Sequence, residues 1–336
     1  MATVLIATPL EPELVDRIAR VDPRVQVLFE PELLPPTRYP GDHRGIEGFR
    51  RSPDDEARFR ALIERADVLF GLPGDSAAGL ADAVGRSRRL RWVQATAAGA
   101  GEQVRAAGLS REELNRVAVT SSAGVHAVPL AEFCLFGLLG FVKELPRLER
   151  DRAERRWDHR PVGELHGLTL LVLGLGGIGR EVERLARAFG MEVIGLRRRD
   201  GGRARLDELL PQADAVCVTL PLTDETRGLL DREAIGLMKP GAIFVNVGRG
   251  GVVDEDALAE ALADGRLAGA ALDVFAREPL PADSPLWTLP NVILSPHTAA
   301  LSVHENERIV ELFCDNLRRY LAGEPLRNRV DPEVFY

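Results

Sequence analysis

Residues 170–180 read LLVLGLGGIGR. An apolar run enters G-x-G-x-x-G at Gly174, Gly176 and Gly179, and EVERLARAF at 181–189 then keeps helical spacing up to Gly190. The order is strand, tight turn, helix. Each glycine meets a separate physical need. Gly174 makes the turn, Gly176 lets backbone approach a pyrophosphate, and Gly179 lets the helix pack closely on the strand. The anion would sit on the helix N-terminus, where unpaired N–H groups and the helix dipole favour negative charge. A second apolar run, MEVIGL at 191–196, completes a β-α-β unit of the dinucleotide-binding kind.

The residue after that second strand selects between nicotinamide cofactors. About 20 residues past the glycines, NAD units carry Asp or Glu for the ribose hydroxyls, whereas NADP sites use Arg for the 2′-phosphate. Here Leu196 is followed by Arg197, Arg198 and Arg199. NADP(H) is therefore favoured, with NAD(H) possible; the alternative is that the three arginines are only a solvated turn.

At 336 residues the chain is long enough for two domains, each with its own core. Apolar residues make up 45% and charged residues 28%, as in ordinary soluble globular proteins. The formal net charge of −8 argues against a nucleic-acid surface, and the arginines at 86–91 and 150–160 alternate with acids or apolar residues, as helix faces do. No apolar run approaches the roughly 18 residues of a membrane span. The start, MATVLIA, has no basic region before its apolar run and reads as a first strand, so no signal peptide is expected and a cytoplasmic location is. Cys134, Cys217 and Cys314 lie in apolar patterns at wide spacing. They read as buried, reduced thiols, with neither a disulfide framework nor a metal site.

Taken from the start, strand 3–8, helix 12–21 and strand 25–29 alternate as in an α/β protein. The stretch 31–53, rich in Pro, Gly, Arg and Asp, breaks the rhythm and reads as a long surface insertion. Helix 54–65, strand 67–71, a short helix near 76–84 and strand 90–94 follow. That strand ends in ATAAGAG at 95–101, almost without side chains. Its exposed backbone N–H groups can cradle a carboxylate or phosphate, or the loop is simply a tight turn before a helix at 102–107. Strand 117–120 leads to SSAG at 121–124, a candidate hinge, and then to a long helix at 127–143, with PLAEFCLFGLLGFVK apolar on nearly every face. Such a helix is expected to be buried between domains or subunits. Residues 144–160 read as an exposed charged arm. Past the arginines come strand 214–220, the loop Pro221–Thr226, strand 242–247, a helix capped by Asp254, strand 270–274, strand 292–294 and a final helix at 303–320.

These patterns predict two α/β domains with parallel sheets, Rossmann-like and flavodoxin-like, joined by the two long helices. Residues 1–121 with 298–336 form the substrate-binding domain and 122–297 the dinucleotide-binding domain. Ligands collect at the carboxyl ends of strands in such sheets. Leu220, Pro221 and Thr226, and Val247 at the next strand end, are therefore candidate cofactor contacts. Arg249, Glu278 and His297 follow three successive strand ends. Singly, each has an ordinary reading as a loop cation, a solvated acid or a capping residue. Together they offer a fixed cation, an acid–base group and a carboxylate to orient it, the set needed to reduce a carbonyl beside a carboxylate.

At these residues the chain resembles the D-isomer-specific 2-hydroxyacid dehydrogenases over roughly residues 60–330. The resemblance is carried by LVLGLGGIGR, LPLTDETRGLL, VNVGRGGVVDEDAL, ALDVFAREPLP and LPNVILSPHTAA, and by spacings of 29 residues from Arg249 to Glu278 and 19 from Glu278 to His297. It is most similar to the glyoxylate and hydroxypyruvate reductases, with no regulatory domain expected after the last helix. The resemblance implies that His297 gives a proton to the substrate carbonyl, that Glu278 pairs with it, and that Arg249 binds the 2-oxo acid. It implies substrate contacts at Ala98, Gly99 and Ala100, pyrophosphate contacts at Gly177 and Ile178, and a place for Asp273, with Arg249 and His297, beside the nicotinamide. It also implies a homodimer built on the nucleotide domain. A dinucleotide-sensing regulator or corepressor on the same fold is the rival reading; formate oxidation fits poorly, because formate enzymes of the family have Gln where Glu278 stands. Arg197 in place of the family's usual acid, and the 31–53 insertion, are departures from the pattern.

Overall fold

Val4 and Ile6 face one side of their strand and Leu5 and Ala7 the other, and all four are buried. A strand covered on both faces belongs inside a parallel sheet. The computed structural model describes residues 1–197 and 199–333. It divides into two compact units, Met1–His126 together with the chain from Leu301 on, and Ala127–Ala300.

In the first unit the order is β1 (Ala2–Ile6), α1 (Pro12–Ala19), β2 (Val25–Leu28), α2 (Pro53–Arg65), β3 (Val68–Phe70), α3 (Ala77–Arg86), β4 (Trp92–Gln94), α4 (Ala100–Ala106), α5 (Arg111–Arg116) and β5 (Ala118–Thr120). The second unit runs α6 (Ala127–Val142), α7 (Leu145–Ala153), β6 (Thr169–Leu173), α8 (Gly177–Ala188), β7 (Glu192–Leu196), α9 (Gly202–Leu209), β8 (Ala215–Val218), α10 (Arg232–Leu237), β9 (Ile243–Asn246), α11 (Glu255–Ala263), β10 (Gly269–Leu272) and β11 (Val292–Leu294). Helix α12 (Glu305–Ala322) returns to the first unit.

The first sheet has the order β2-β1-β3-β4-β5, all parallel, the flavodoxin-like arrangement. One face packs Val4, Ile6, Val68, Phe70 and Trp92 against α1 and α12; the other packs Leu5, Leu69 and Val93 against α2, α3 and α4. Trp92 is fully buried, stacks on Phe313 at 4.8 Å between ring centroids, and donates its indole N–H to Thr120 Oγ1 at 2.8 Å. The second sheet is β11-β10-β9-β8-β6-β7, also parallel. Leu170, Val172, Cys217 and Val245 form one buried face with α6 and α8. Leu171, Leu173, Val216 and Phe244 form the other, with α9, α10 and α11.

Three expectations change. The 31–53 stretch is not a bare surface insertion: Leu33 and Leu34 are buried, and the buried Asp42 takes Arg38 Nε at 2.8 Å and the Gly45 N–H at 3.0 Å. The Arg38 guanidinium holds the Asp42 carboxyl far below the usual carboxylate range. Irregular segments bury themselves through such specific pairs, which leave no periodic trace. The 144–160 arm contains α7 and a buried acid, Asp151, 3.3 Å from Arg160 Nη1, although Trp157 beyond it is almost fully exposed. Helix α6 spends its apolar surface on its own sheet, packing on α8, β9 and β10; Phe136 remains exposed. Cys134 and Cys217 face each other inside this core with Sγ atoms 3.5 Å apart, unbonded, and burial pushes the Cys134 thiol well up. No helix among the described residues is long and apolar enough to cross a membrane.

Candidate active site

The glycine turn after β6 has the geometry a dinucleotide needs. Gly174 has φ +99°, and a Cβ on Gly179 would stand 1.9 Å from Gly174 O, so only glycine lets α8 start this close to the strand. Gly176, the N-cap of α8, has open space where its Cβ would be and no side chain capping the helix. The free N–H groups of the first turn thus face a gap that a pyrophosphate fits. Gly177 is exposed and Ile178 half-buried beside it.

Close backbone approaches carry the site from this turn across the carboxyl edge of the sheet. A Cβ on Gly174 would lie 3.0 Å from Leu220 Cδ2, and one on Gly248 would lie 2.5 Å from Leu220 O. Thr226 Oγ1 donates to Pro221 O at 2.6 Å, which curls the 221–226 loop. Val247 is buried, its N–H donating to Val218 O at 3.1 Å. Asn246, also buried, accepts the Gly248 N–H at 3.0 Å and donates to Arg249 O at 3.3 Å, so it shapes the turn that exposes the Arg249 side chain.

Glu278 and His297 meet at the ends of β10 and β11. Glu278 Oε2 lies 2.7 Å from His297 Nδ1, and Glu278 Oε1 accepts the Phe275 N–H at 3.1 Å. Both side chains are partly open to solvent. His297 has φ +56°, a left-handed conformation rare outside glycine. It is held there from behind: Asp273 Oδ1 accepts the N–H groups of Thr298 and Ala299, both at 2.9 Å. Asp273 is almost fully buried, and burial pushes its carboxyl up against the pull of those two bonds. This clamp escapes a reading by residue type alone because its partners are backbone groups far along the chain, and Asn246 escapes it because its partners are main-chain groups of its own turn.

After β7, Arg197 is exposed and its N–H donates to Asp200 Oδ2 at 2.8 Å, so the turn also holds a carboxylate. Arg198 lies outside the described residues. Ala98, Gly99 and Ala100 belong to the first unit, where Gly99 is the N-cap of α4; Ala98 and Gly99 are exposed and Ala100 is buried.

A doubly wound parallel sheet with an open glycine turn, a histidine–carboxylate pair and an arginine on one edge defines a dinucleotide-binding protein with acid–base chemistry built in. The chain belongs to the D-isomer specific 2-hydroxyacid dehydrogenase family. Residues 135–299 match the family's NAD binding domain. The chain is 45% identical over 181 residues to glyoxylate/hydroxypyruvate reductase B of Pectobacterium carotovorum, a match covering 51% of this chain and 57% of that protein. It is 37% identical over 231 residues to glyoxylate reductase of Korarchaeum cryptofilum, covering 64% and 70%. A D-isomer specific 2-hydroxyacid dehydrogenase of Xanthobacter autotrophicus, solved in complex with NADPH and MES, shares the fold over the full length of both chains with a TM-score of 0.75 and 30% identity.

Proposed function

We propose that this chain is an NAD(P)-dependent oxidoreductase that reduces a small 2-oxo acid, such as glyoxylate or hydroxypyruvate, to the D-2-hydroxy acid, with NADPH preferred. The observation that carries the reading is the 2.7 Å pair between Glu278 and His297 on the sheet edge that also holds the open glycine turn. When bound, the nicotinamide supplies the hydride for the carbonyl carbon. With Nδ1 engaged by Glu278, His297 has Nε2 left to give a proton to the carbonyl oxygen. Arg249 holds the substrate carboxylate and offsets negative charge growing on the carbonyl oxygen. The N–H groups of Ala98, Gly99 and Ala100 contribute to carboxylate binding, which makes the first unit the substrate-binding domain. Gly174, Gly176, Gly177, Ile178 and Gly179 hold the pyrophosphate. Leu220, Pro221, Thr226, Val247 and Asp273 line the path toward the nicotinamide, and Arg197, with Arg198, takes the 2′-phosphate.

A homodimer is part of the same reading. Val128, Phe136, Leu148, Trp157 and Val162 are exposed apolar residues concentrated at the start of the second unit, and a second copy of the chain would cover them. The relatives named as glyoxylate reductases and the NADPH in the Xanthobacter structure support the choice of substrate and cofactor.

The experiment is initial-rate oxidation of NADPH and NADH against 2-oxo acids from glyoxylate to branched and aromatic members, on a sample whose mass in solution is measured. Turnover is expected with the smallest acids. His297→Ala should lower kcat by about a thousandfold and leave cofactor binding nearly intact. Tight cofactor binding with no turnover on any acid would favour a sensing role instead.

A further inference from the structure

Glu255 takes no part in the chemistry above, yet it holds the loop that carries Glu278. It is the first residue of α11, behind the N-cap Asp254, whose side chain accepts the Ala257 N–H at 3.0 Å. From there Glu255 Oε2 accepts the Ala276 N–H at 2.8 Å. The preceding N–H, that of Phe275, goes to Glu278 Oε1 at 3.1 Å. Two consecutive backbone donors are thus divided between two carboxylates, one on a helix and one in the site.

The same peptide is also closely approached by Gly250. A Cβ on Gly250 would lie 1.9 Å from the Phe275 carbonyl carbon and 2.4 Å from Ala276 N, so the turn after Arg249 presses directly on it. We infer that Glu255 is a positioning residue for the Glu278–His297 pair: it fixes the Phe275–Ala276 peptide and keeps the Ala276 N–H from competing for the oxygen that Glu278 presents to His297. Without an acceptor at 255, the Ala276 N–H is free to compete for the Glu278 carboxylate, and Oε2 loses its fixed place at His297. Half-burial raises the Glu255 carboxyl above its ordinary range, with the charges of Asp256 and Glu278 adding to this and the Ala276 bond opposing it, as expected for two acids held near each other by separate donors.

This rests on the reading of Glu278 and His297 given above, and the test separates the two. The His297 ring is followed by NMR in ¹⁵N-histidine-labelled full-length protein saturated with NADP+, its signal assigned by loss in His297→Ala, and kcat is measured with NADPH and glyoxylate. Glu278→Gln should move the ring's titration midpoint to lower pH. Glu255→Ala should move it the same way by about half a unit and lower kcat about tenfold. Glu255→Gln, which keeps an acceptor for Ala276, should stay within about 0.2 units of the parent, whereas the shorter Glu255→Asp should behave like the alanine variant. In a Glu278→Gln background, Glu255→Ala should add nothing, because its effect runs through Glu278. An unmoved ring in both Glu255→Ala and Glu255→Asp, or an equal shift in both backgrounds, would overturn the role of Glu255. If His297→Ala and Glu278→Gln both retain full turnover, the proposed reaction fails instead, and the ring titration still decides Glu255 by itself.

Discussion

The two units share one plan, a parallel sheet with helices on both faces, but organise their strand ends by different means. In the second unit the edge is made by glycine backbone at Gly174–Gly179 and by side chains in the loops that follow successive strands, Arg249, Glu278 and His297. In the first unit the end of β1 lies under an irregular segment: Thr8 Oγ1 donates to His43 O at 2.8 Å, and Pro9, Leu10, Pro35, Tyr39 and Asn306 help to line a cleft of about 320 Å³. One edge is built from local backbone rules and the other from side-chain pairs that close a long connection. The proposed chemistry sits on the first kind of edge, where turns tied to strand ends leave little freedom to lose.

The contrast is tested most severely within the glycine turn. Gly179→Ala must push a methyl into Gly174 O and should cost the second unit about 3 kcal/mol or more, read by denaturant unfolding. Gly176→Ala meets nothing in the fold. It should leave stability within about 0.5 kcal/mol yet weaken NADPH binding by about a hundredfold, measured by fluorescence titration. Equal destabilisation by both would mean that the open gap at Gly176 is not reserved for a ligand.

A smaller effect belongs to the turn after β7. Arg197→Asp should shift the ratio of kcat/KM for NADPH over NADH about tenfold toward NADH. An unmoved ratio would make the arginines solvated surface charge, leaving that part of the edge unspecialised.

The smallest effect is expected in the first unit. Asp42→Asn should lower stability by about 1 kcal/mol at neutral pH, since it removes a charge-assisted pair with Arg38. The pair holds the Asp42 carboxyl below its unfolded value, so its contribution is full above the ordinary aspartate range and fades as pH falls below about 4 toward the folded value. The gap between wild type and variant should therefore close on acidification. A constant gap would show that the segment is held by apolar contacts such as Leu33 and Leu34 instead.

What could be read in advance follows the same division. The glycine turn was legible because each glycine answers a backbone requirement stated by three positions. Parallel sheets were legible from continuous apolar runs separated by helical patterns, and the Asp254 cap from its place before such a pattern. Burial of 31–53 and of Asp151 was not, since each depends on an arginine whose partner only the folded chain selects. The types and spacing of Glu278 and His297 suggested a pair, but the clamp of Asp273 on Thr298 and Ala299, and the hold of Glu255 on Ala276, are bonds to main chain. Any residue other than proline has an N–H to offer, so nothing in the string of letters marks which ones are used.

The placement of the tryptophans has an optical consequence. Trp92 is the first unit's single tryptophan, sealed against Phe313, while Trp157 and Trp287 belong to the second unit and stand open to solvent. Blue-shifted emission therefore originates in the first unit and red-shifted emission in the second, from Trp287 and, wherever no second copy covers it, from Trp157. A spectrum recorded during unfolding separates by wavelength which half of the molecule has let go.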